Sequence, residues 1–533
     1  MIGFYRRIPL VIAATVVFAA TAWAEGIFPV NDAGTGNWVF DQPSVAVNGT
    51  ALHVAFVGDD DAGAEGSPDT RLFYAMINGA ADFRNKATTR SQVLLAAPVA
   101  IVNGDAYTGA RHPQIALRSA TEAVILFQAI PAGETSYKLF RALVTVANNA
   151  VTSQSVAEIR DAAGGRIPGR LTDPSFAVVT TDNTLRVAFS SFPSTLIGDG
   201  TFSDVYFARV GMEAARVLNT TILLTTRDSS LGVSPLPRLR LDSNRYSHVV
   251  WAANNSTGSP TGIYYAMVQA IAPSVVDNLA IGATQVLSGG NRWGFPNLVL
   301  TSNIGVWILA SDEPPPGASE GLATAMGISK VNPYAVTHDG NPVSINNVSS
   351  NSLFFLNPPG GSVLSADFDT YQPEVVLDTL LRMHVSGYGF RSAVPPFQGT
   401  PGRYYVMSPG VTASGAGTAS IFASMIGSPL PVGIGDIAFS MQLPGDYTRP
   451  SFAVLGGVKS VNFWSGPDNV VAGARNLYVT SVSQIDTSSQ SGCAIVSDPR
   501  RDEAGRIPGA AVLLLPAALL ALRRASRKAV GRP

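Results

Sequence analysis

Residues of several chemical types stand immediately before a repeated proline along this 533-residue chain. The seven residues are Gln42, His112, Asp173, Leu236, Phe295, Gln372 and Arg449. Arg111 adds a second charged side chain beside His112. Carboxylate, amide, imidazole and guanidinium groups of this kind can hydrogen-bond the hydroxyls or carboxylates of a polar ligand. We therefore take five of these residues as candidate ligand-binding residues: Arg111, His112, Asp173, Gln372 and Arg449.

Three histidines are candidate transition-metal ligands by residue type alone. His53, His248 and His384 occupy equivalent positions in three repeats that are not adjacent in the chain. Equivalent strands of non-adjacent repeats do not meet, so the spacing predicts that each histidine packs between repeats or bonds a loop.

Acidic loops offer oxygen ligands of the kind that Ca²⁺ prefers. Asp59, Asp61 and Glu65 lie in the loop 58–69, and a weaker cluster lies at 311–320. Neither loop has the alternating oxygens and sixth-position glycine of an EF-hand, which favours a solvated loop. We expect no metal and no cofactor, with Ca²⁺ at Asp59, Asp61 and Glu65 as the alternative.

The prolines belong to a repeat that must position these residues. Pro43, for example, leads the alternating apolar segment QPSVAV, and two strand-like runs follow it, HVAF at 53–56 and LFYAMI at 72–77. The prolines recur roughly every 60 to 77 residues. A sheet of this size cannot bury both faces alone, whereas stacking such sheets radially buries them and leaves only short edges. The repeat predicts an all-β, seven-bladed β-propeller over residues 25–484; an eight-bladed propeller and two tandem β-sandwiches are the alternatives.

In such a ring the residues before the prolines surround one mouth of the central channel, and the loops after the second strands open on the same face. Binding residues are frequently carried by loops on a rigid scaffold. The seventh repeat has only three strands before the tail begins, so Gly26–Phe40 is free to supply the fourth. Pairing the two ends of the domain in one blade would remove its open edge.

The repeat has three segments in the order xPxhAh, HVxW and IYYA. This order resembles the repeats of sialidase-like β-propellers. The resemblance implies that the Pro-led strand is innermost in each blade. The Asp boxes of that family, S-x-D-x-G-x-x-W-like turns, are absent from this sequence, and neither its arginine cluster nor its Tyr/Glu pair can be assigned. The resemblance therefore concerns packing, and glycosidase activity is not implied.

The chain has a net charge of −1 and only 14% charged residues, with arginine scattered through the repeats. This composition excludes a nucleic-acid partner, which needs a basic face. We expect a non-enzymatic protein that binds a glycan or a surface protein. The alternative is a carbohydrate-active hydrolase or lyase with its catalytic groups at the channel mouth.

Residues 1–24 have the pattern of a secretory signal peptide. Arg6 and Arg7 precede a mostly apolar stretch, and Ala22-Trp23-Ala24 fits a small-x-small cleavage site. A retained membrane anchor is the alternative. The pattern predicts export across the inner membrane of a bacterium.

The tail, residues 485–533, combines a lone cysteine, Cys493, with an apolar run at 507–522 and an arginine-rich end. The run is short for a membrane-spanning helix, which needs about 20 residues, and the basic end fits the positive-inside rule. This layout resembles the bacterial CTERM protein-sorting signals, and Ile485-Asp486-Thr487 most resembles the JDVT-CTERM type. The resemblance implies a membrane helix cut by a sorting protease and a lipid on Cys493, leaving the protein anchored, at the cell surface or released. An ordinary anchor with an incidental cysteine is the alternative.

Overall fold

The structure, a computed structural model, describes nineteen stretches of the chain. They are residues 25–26, 39–59, 70–80, 99–192, 202–219, 221–229, 236–253, 262–269, 277–287, 292–301, 305–313, 325–331, 354–356, 368–377, 382–391, 403–412, 451–455, 459–467 and 475–483. The chain divides into two units, Met1–Gln484 and Ile485–Pro533, and every described residue lies in the first. All regular elements of these stretches are β-strands, and the described residues include no helix that could span a membrane. The predicted signal peptide, the apolar run 507–522 and Cys493 lie outside the described residues.

Successive strands pair antiparallel into sheets that follow one another along the chain. The first sheet contains β2 (Val39–Asn48), β3 (Ala51–Asp59), β4 (Arg71–Asn78) and β5 (Val99–Ala100). The second contains β6 (Tyr107–Ser119), β7 (Glu122–Pro131), β8 (Lys138–Ala147) and β9 (Ala150–Glu158). The third contains β10 (Arg170–Val179), β11 (Thr184–Phe192), β12 (Phe202–Gly211), β13 (Arg216–Val217) and β14 (Ile222–Ser229).

The remaining sheets repeat the pattern. The fourth contains β15 (Arg238–Leu241), β16 (Tyr246–Ala253), β17 (Gly262–Gln269) and β18 (Asn278–Leu287). The fifth contains β19 (Arg292–Thr301), β20 (Gly305–Glu313), β21 (Ala325–Val331) and β22 (Phe354–Leu356). The sixth contains β23 (Phe368–Leu377), β24 (Arg382–Arg391) and β25 (Arg403–Thr412). The last contains β26 (Ser451–Leu455), β27 (Lys459–Pro467) and β28 (Arg475–Ser483), and β1 (Glu25–Gly26) lies beside β28.

Consecutive residues of the second strands face different neighbours, which explains their almost unbroken apolar character. In β3, Val54 and Phe56 pack towards the last sheet, whereas Ala55 and Val57 pack towards the second sheet. Side chains of a strand alternate between its two faces, so a sheet covered on both sides must be apolar at every position. Each buried phenylalanine or valine stabilises the fold by about 1.5–3 kcal/mol.

The first strands of the sheets contact one another in cyclic order: β2, β6, β10, β15, β19, β23, β26 and again β2. Serines just after the repeated proline bind the next sheet at three of these contacts. The Oγ of Ser44 accepts the N–H of Ile115 at 3.1 Å, and that of Ser175 accepts the N–H of Leu239 at 2.9 Å. Sheets arranged radially around their first strands form a β-propeller.

The two ends of this unit meet in the last sheet. β1 pairs antiparallel with β28, with Glu25 opposite Val479, and Val39 pairs with Arg475 in parallel. The Oγ of Ser451 accepts the N–H of Val45 at 3.1 Å, so the serine bond also joins the last sheet to the first. Pairing of the N-terminal segment with the last sheet is thus confirmed at Gly26, and residues 27–38 lie outside the described part of the chain.

Candidate functional site

The residue before the repeated proline has a left-handed backbone in the first five sheets. The φ angles are 52° for Gln42, 49° for His112, 52° for Asp173, 45° for Leu236 and 47° for Phe295. A positive φ is uncommon for residues other than glycine, and a following proline normally favours an extended conformation. The same unusual conformation at equivalent positions shows that the ring of sheets imposes it.

A β-bulge accompanies this conformation. The pairing register shifts across the dipeptide that ends in proline in β2, β6, β10, β19 and β23. Proline cannot donate a ladder hydrogen bond, so a bulge is one of the few places where it fits within a sheet. The expectation that each proline begins its strand is therefore wrong: β2 starts at Val39, ahead of Pro43, and β10 starts at Arg170, ahead of Pro174.

Glutamine side chains fix two of the bulges. The N–H of His112 donates to Oε1 of Gln42 at 2.6 Å, and the N–H of Asp173 donates to Oε1 of Gln128 at 2.7 Å. Gln42 precedes Pro43 in the first sheet, and Gln128 lies on β7 of the second. Each glutamine thus satisfies a backbone donor of the following sheet and holds the next residue of the ring in place.

His112 and Asp173, which precede the second and third of the repeated prolines, are in contact. Nδ1 of His112 lies 2.7 Å from Oδ1 of Asp173, whose side chain is only 7% exposed, whereas His112 is 40% exposed. The hydroxyl of Thr172 donates to Oδ2 of the same carboxylate at 3.0 Å. The carboxylate accepts the proton on Nδ1, so in a neutral imidazole the lone pair lies on Nε2. Among the described residues none hydrogen-bonds Nε2, so this nitrogen is available to a ligand.

Arg111 lies beside this pair on an aromatic side chain. Its guanidinium carbon is 5.4 Å from the ring centre of Tyr137, and that of Arg170 is 5.5 Å from the same ring. Arg170 also lies over Phe192, at 5.4 Å from its ring centre. A cation over an aromatic face is attracted by the ring quadrupole, by about 0.5–1 kcal/mol at exposed sites. We call Arg111, Tyr137, Arg170 and Phe192 the arginine–aromatic cluster.

Backbone and side-chain bonds between the second and third sheets hold this cluster. The N–H of Leu171 donates to the carbonyl of Tyr137 at 2.9 Å, which brings the residue before β8 against the start of β10. Nζ of the buried Lys138 donates to the carbonyls of Ile167 and Gly169, at 2.7 and 2.5 Å. Burial lowers the pKa of Lys138. These bonds fix the segment that carries Arg170.

Of the five candidate residues, the structure thus brings His112 and Asp173 into contact, and Arg111, next to His112 in the chain, lies over Tyr137. Gln372 lies on β23 at the equivalent bulge, but only its backbone is described, and Arg449 lies outside the described residues. Leu236 and Phe295 occupy the equivalent positions in the fourth and fifth sheets, so that part of the ring carries apolar side chains.

The two described buried histidines have structural environments. Nδ1 of His53 lies 2.5 Å from the hydroxyl of Tyr74, and Nδ1 of His248 lies 2.7 Å from that of Tyr265. Both tyrosines belong to the neighbouring strand of the same sheet. Nε2 of His248 also lies 3.4 Å from Oδ2 of Asp242, in the turn before β16, so His248 bonds a loop as the sequence predicts. Burial lowers the pKa of His53 to about 4.

Among the described residues no group of histidines, cysteines and carboxylates is arranged to hold a metal ion. The side chains of His384 and Asp59, and the residues Asp61 and Glu65, lie outside what is described.

Sequence comparison gives no match to a protein-family model and none to a curated protein. Solved structures with a similar arrangement include a thermostable family-43 glycoside hydrolase, at 13% identity and a TM-score of 0.33 over 61% of this chain and 95% of that one. A protein of unknown function from Dyadobacter fermentans has 10% identity and a TM-score of 0.39 over 72% and 97%. A Hadza microbial sialidase has 8% identity and a TM-score of 0.38 over 78% and 74%. At these scores the propeller assignment rests on the strand topology alone.

Proposed function

We propose that this protein is an exported, surface-anchored, seven-bladed β-propeller that binds a glycan or a surface protein through the channel mouth formed before the repeated prolines. The observation that carries this proposal is the pair His112–Asp173. A buried carboxylate orients a half-exposed imidazole, and its free Nε2 is left to face a ligand. A few convergent polar groups on a rigid, mainly apolar scaffold are typical of small-ligand sites.

Two observations support seven blades. The first strands of the described sheets contact in a cycle that passes directly from β23 to β26 and from β26 to β2. The bond from Val45 to Ser451 repeats the contact that Ser44 and Ser175 make elsewhere in the ring. In this arrangement Gln372 and Arg449, which precede the sixth and seventh prolines, complete the mouth.

Export and anchoring are proposed from the ends of the sequence. Residues 1–24 supply the signal peptide, and residues 485–533 supply Cys493, the apolar run and the basic end. In this proposal the tail contacts the membrane through 507–522 and is the substrate of a sorting protease. The propeller, residues 25–484, then faces the outside of the inner membrane.

A glycan array and a cell-surface extract, probed with the full-length protein, test the binding proposal. We expect His112→Ala to weaken binding at least tenfold, because one hydrogen bond to a charged or strongly polar group contributes about 1.5 kcal/mol. Arg118→Ala is the matched control for Arg111→Ala: Arg118 lies on the same strand, β6, but pairs with Glu122 at 2.9 Å. Equal loss in Arg111→Ala and Arg118→Ala, or no loss in His112→Ala, would contradict a site at the mouth.

The same pair favours a second candidate, a carbohydrate-active hydrolase or lyase. A carboxylate that holds one imidazole nitrogen leaves the other as a general base, the arrangement used in many acid–base catalysts. The test is the release of new reducing ends from a panel of polysaccharides, with ultraviolet absorbance of the product to detect elimination. Activity that is lost in His112→Ala, with folding retained, would establish the enzyme; binding without product would exclude it for that polysaccharide.

A further inference from the structure

In the described part of the chain, no hydrogen bond or ion pair engages the two guanidinium groups of the arginine–aromatic cluster. Arg111 and Arg170 both lie over the ring of Tyr137, and both are exposed. Stacking on an aromatic ring engages the flat face of a guanidinium, whereas its five N–H donors point outwards in the plane of the group. The donors of both guanidinium groups therefore point away from the ring of Tyr137.

Among the described residues neither guanidinium forms an ion pair. Two carboxylates of the neighbouring segments bind other groups: Asp173 contacts His112, and Glu134 pairs with Arg166. Two like charges on one ring repel each other, and that repulsion is relieved when an anion lies between them. The cluster thus has an excess of positive charge, although the chain as a whole has a net charge of −1.

Hydrogen bonds also fix the backbone segments that carry Tyr137 and Arg170. The backbone bond from Leu171 to Tyr137 and the two bonds from Lys138 fix the segments on which Tyr137 and Arg170 lie. Side chains on fixed segments that already stack on a ring lose less conformational entropy on binding than free ones, which favours recognition of a planar anionic group.

We infer that Arg111 and Arg170 bind the carboxylate of an acidic sugar, a hexuronate residue of a glycan, beside Nε2 of His112. This inference rests on the proposed function and specifies its ligand class. A carboxylate matches the fork of a guanidinium, and the free imidazole nitrogen can accept a neighbouring sugar hydroxyl. A neutral glycan would satisfy the imidazole and leave both guanidinium groups without a partner.

Binding of uronate trisaccharides to the full-length protein tests the inference, with the methyl ester of each trisaccharide as the matched neutral ligand. The probes are the trimers of galacturonate, glucuronate and mannuronate, and calorimetry measures their affinity. We expect at least one free acid to bind, and its methyl ester to bind at least tenfold more weakly. Arg111→Ala and Arg170→Ala should each lower the affinity for the acid at least tenfold, and Arg118→Ala should leave it unchanged.

Variants of Tyr137 distinguish the contribution of its aromatic ring to binding from its contribution to folding. Tyr137→Phe keeps the ring and should bind the acid as the wild type does, whereas Tyr137→Leu should lose affinity while keeping its circular dichroism spectrum. Equal affinity for an acid and its ester, or full binding by Arg111→Ala and Arg170→Ala, would overturn the inference. If a neutral glycan then still binds and depends on His112, the proposed function stands without its acidic ligand; if no glycan of either kind binds, both fall.

Discussion

Leu236 offers a direct test of the backbone conformation that shapes the mouth. Its φ is 45°, in the left-handed region, and it precedes Pro237 as His112 precedes Pro113. Unlike His112 and Asp173, it has an aliphatic side chain and no ion pair to lose. Replacing Leu236 by alanine and by glycine removes the same leucine contacts in both variants, so the difference between the two reports mainly on the backbone.

The expected difference follows from two opposing effects. A left-handed conformation costs an L-residue about 1–2 kcal/mol, and glycine avoids this cost. Glycine gives the unfolded chain more freedom, which destabilises the folded state by about 0.4–1 kcal/mol relative to alanine. We therefore expect Leu236→Gly to be more stable than Leu236→Ala by about 0.5–1 kcal/mol.

Urea denaturation followed by circular dichroism measures both variants. Thr152, which is exposed on β9, provides the control, because Thr152→Gly should be less stable than Thr152→Ala by about 0.5–1 kcal/mol in an ordinary strand. The order of glycine and alanine is thus expected to reverse between the two positions. The same order at both, with alanine the more stable, would refute a left-handed backbone before the repeated proline.

Three further predictions concern the core, the pH dependence of stability and the tail. Asp277→Ala should destabilise the protein by about 3–5 kcal/mol in thermal or urea unfolding. The reason is that the fully buried Arg209 loses the carboxylate that now accepts its Nε–H at 3.1 Å. The double variant with Arg209→Met should restore most of that loss. The pKa of His53 is about 4 in the folded protein, against 6.5 for a free histidine. Between these pH values only the unfolded state binds the proton, so the free energy of unfolding should fall by up to about 3 kcal/mol from pH 7 to pH 4. His53→Gln should remove this part of the loss. Cys493→Ser should leave the thermal unfolding of the propeller unchanged but alter its distribution between membrane and medium, and an unchanged distribution with an unchanged C-terminal mass would reduce the tail to a plain anchor.

The strand arrangement could be predicted from the sequence because it depends on local patterns. A proline followed by alternating apolar residues marks the first strand of each sheet, and an unbroken apolar run such as the one in β3 marks a strand packed on both faces. The structural role of His53 and His248 also followed from their equivalent positions in separate repeats. The bulge did not, since a left-handed residue before proline opposes the local preference of the chain and is stabilised only by the ring.

The candidate site was predictable only in part. His112 and Asp173 could be named as candidates because the repeat places both before a proline, and Arg111 is the neighbour of His112. The contact between His112 and Asp173 was not predicted. Tyr137 and Arg170 carry no such signal. They lie at different positions of two repeats and meet through the backbone bond from Leu171 to Tyr137, which no sequence spacing reveals.

A crystal structure of the protein soaked with the uronate trisaccharide that binds most tightly would test the central claim most directly. We expect electron density for a sugar over the channel mouth, with its carboxylate between Arg111 and Arg170 and a hydroxyl within hydrogen-bonding distance of Nε2 of His112. Density confined to the loops at the outer edges of the blades, with the mouth empty, would contradict the account.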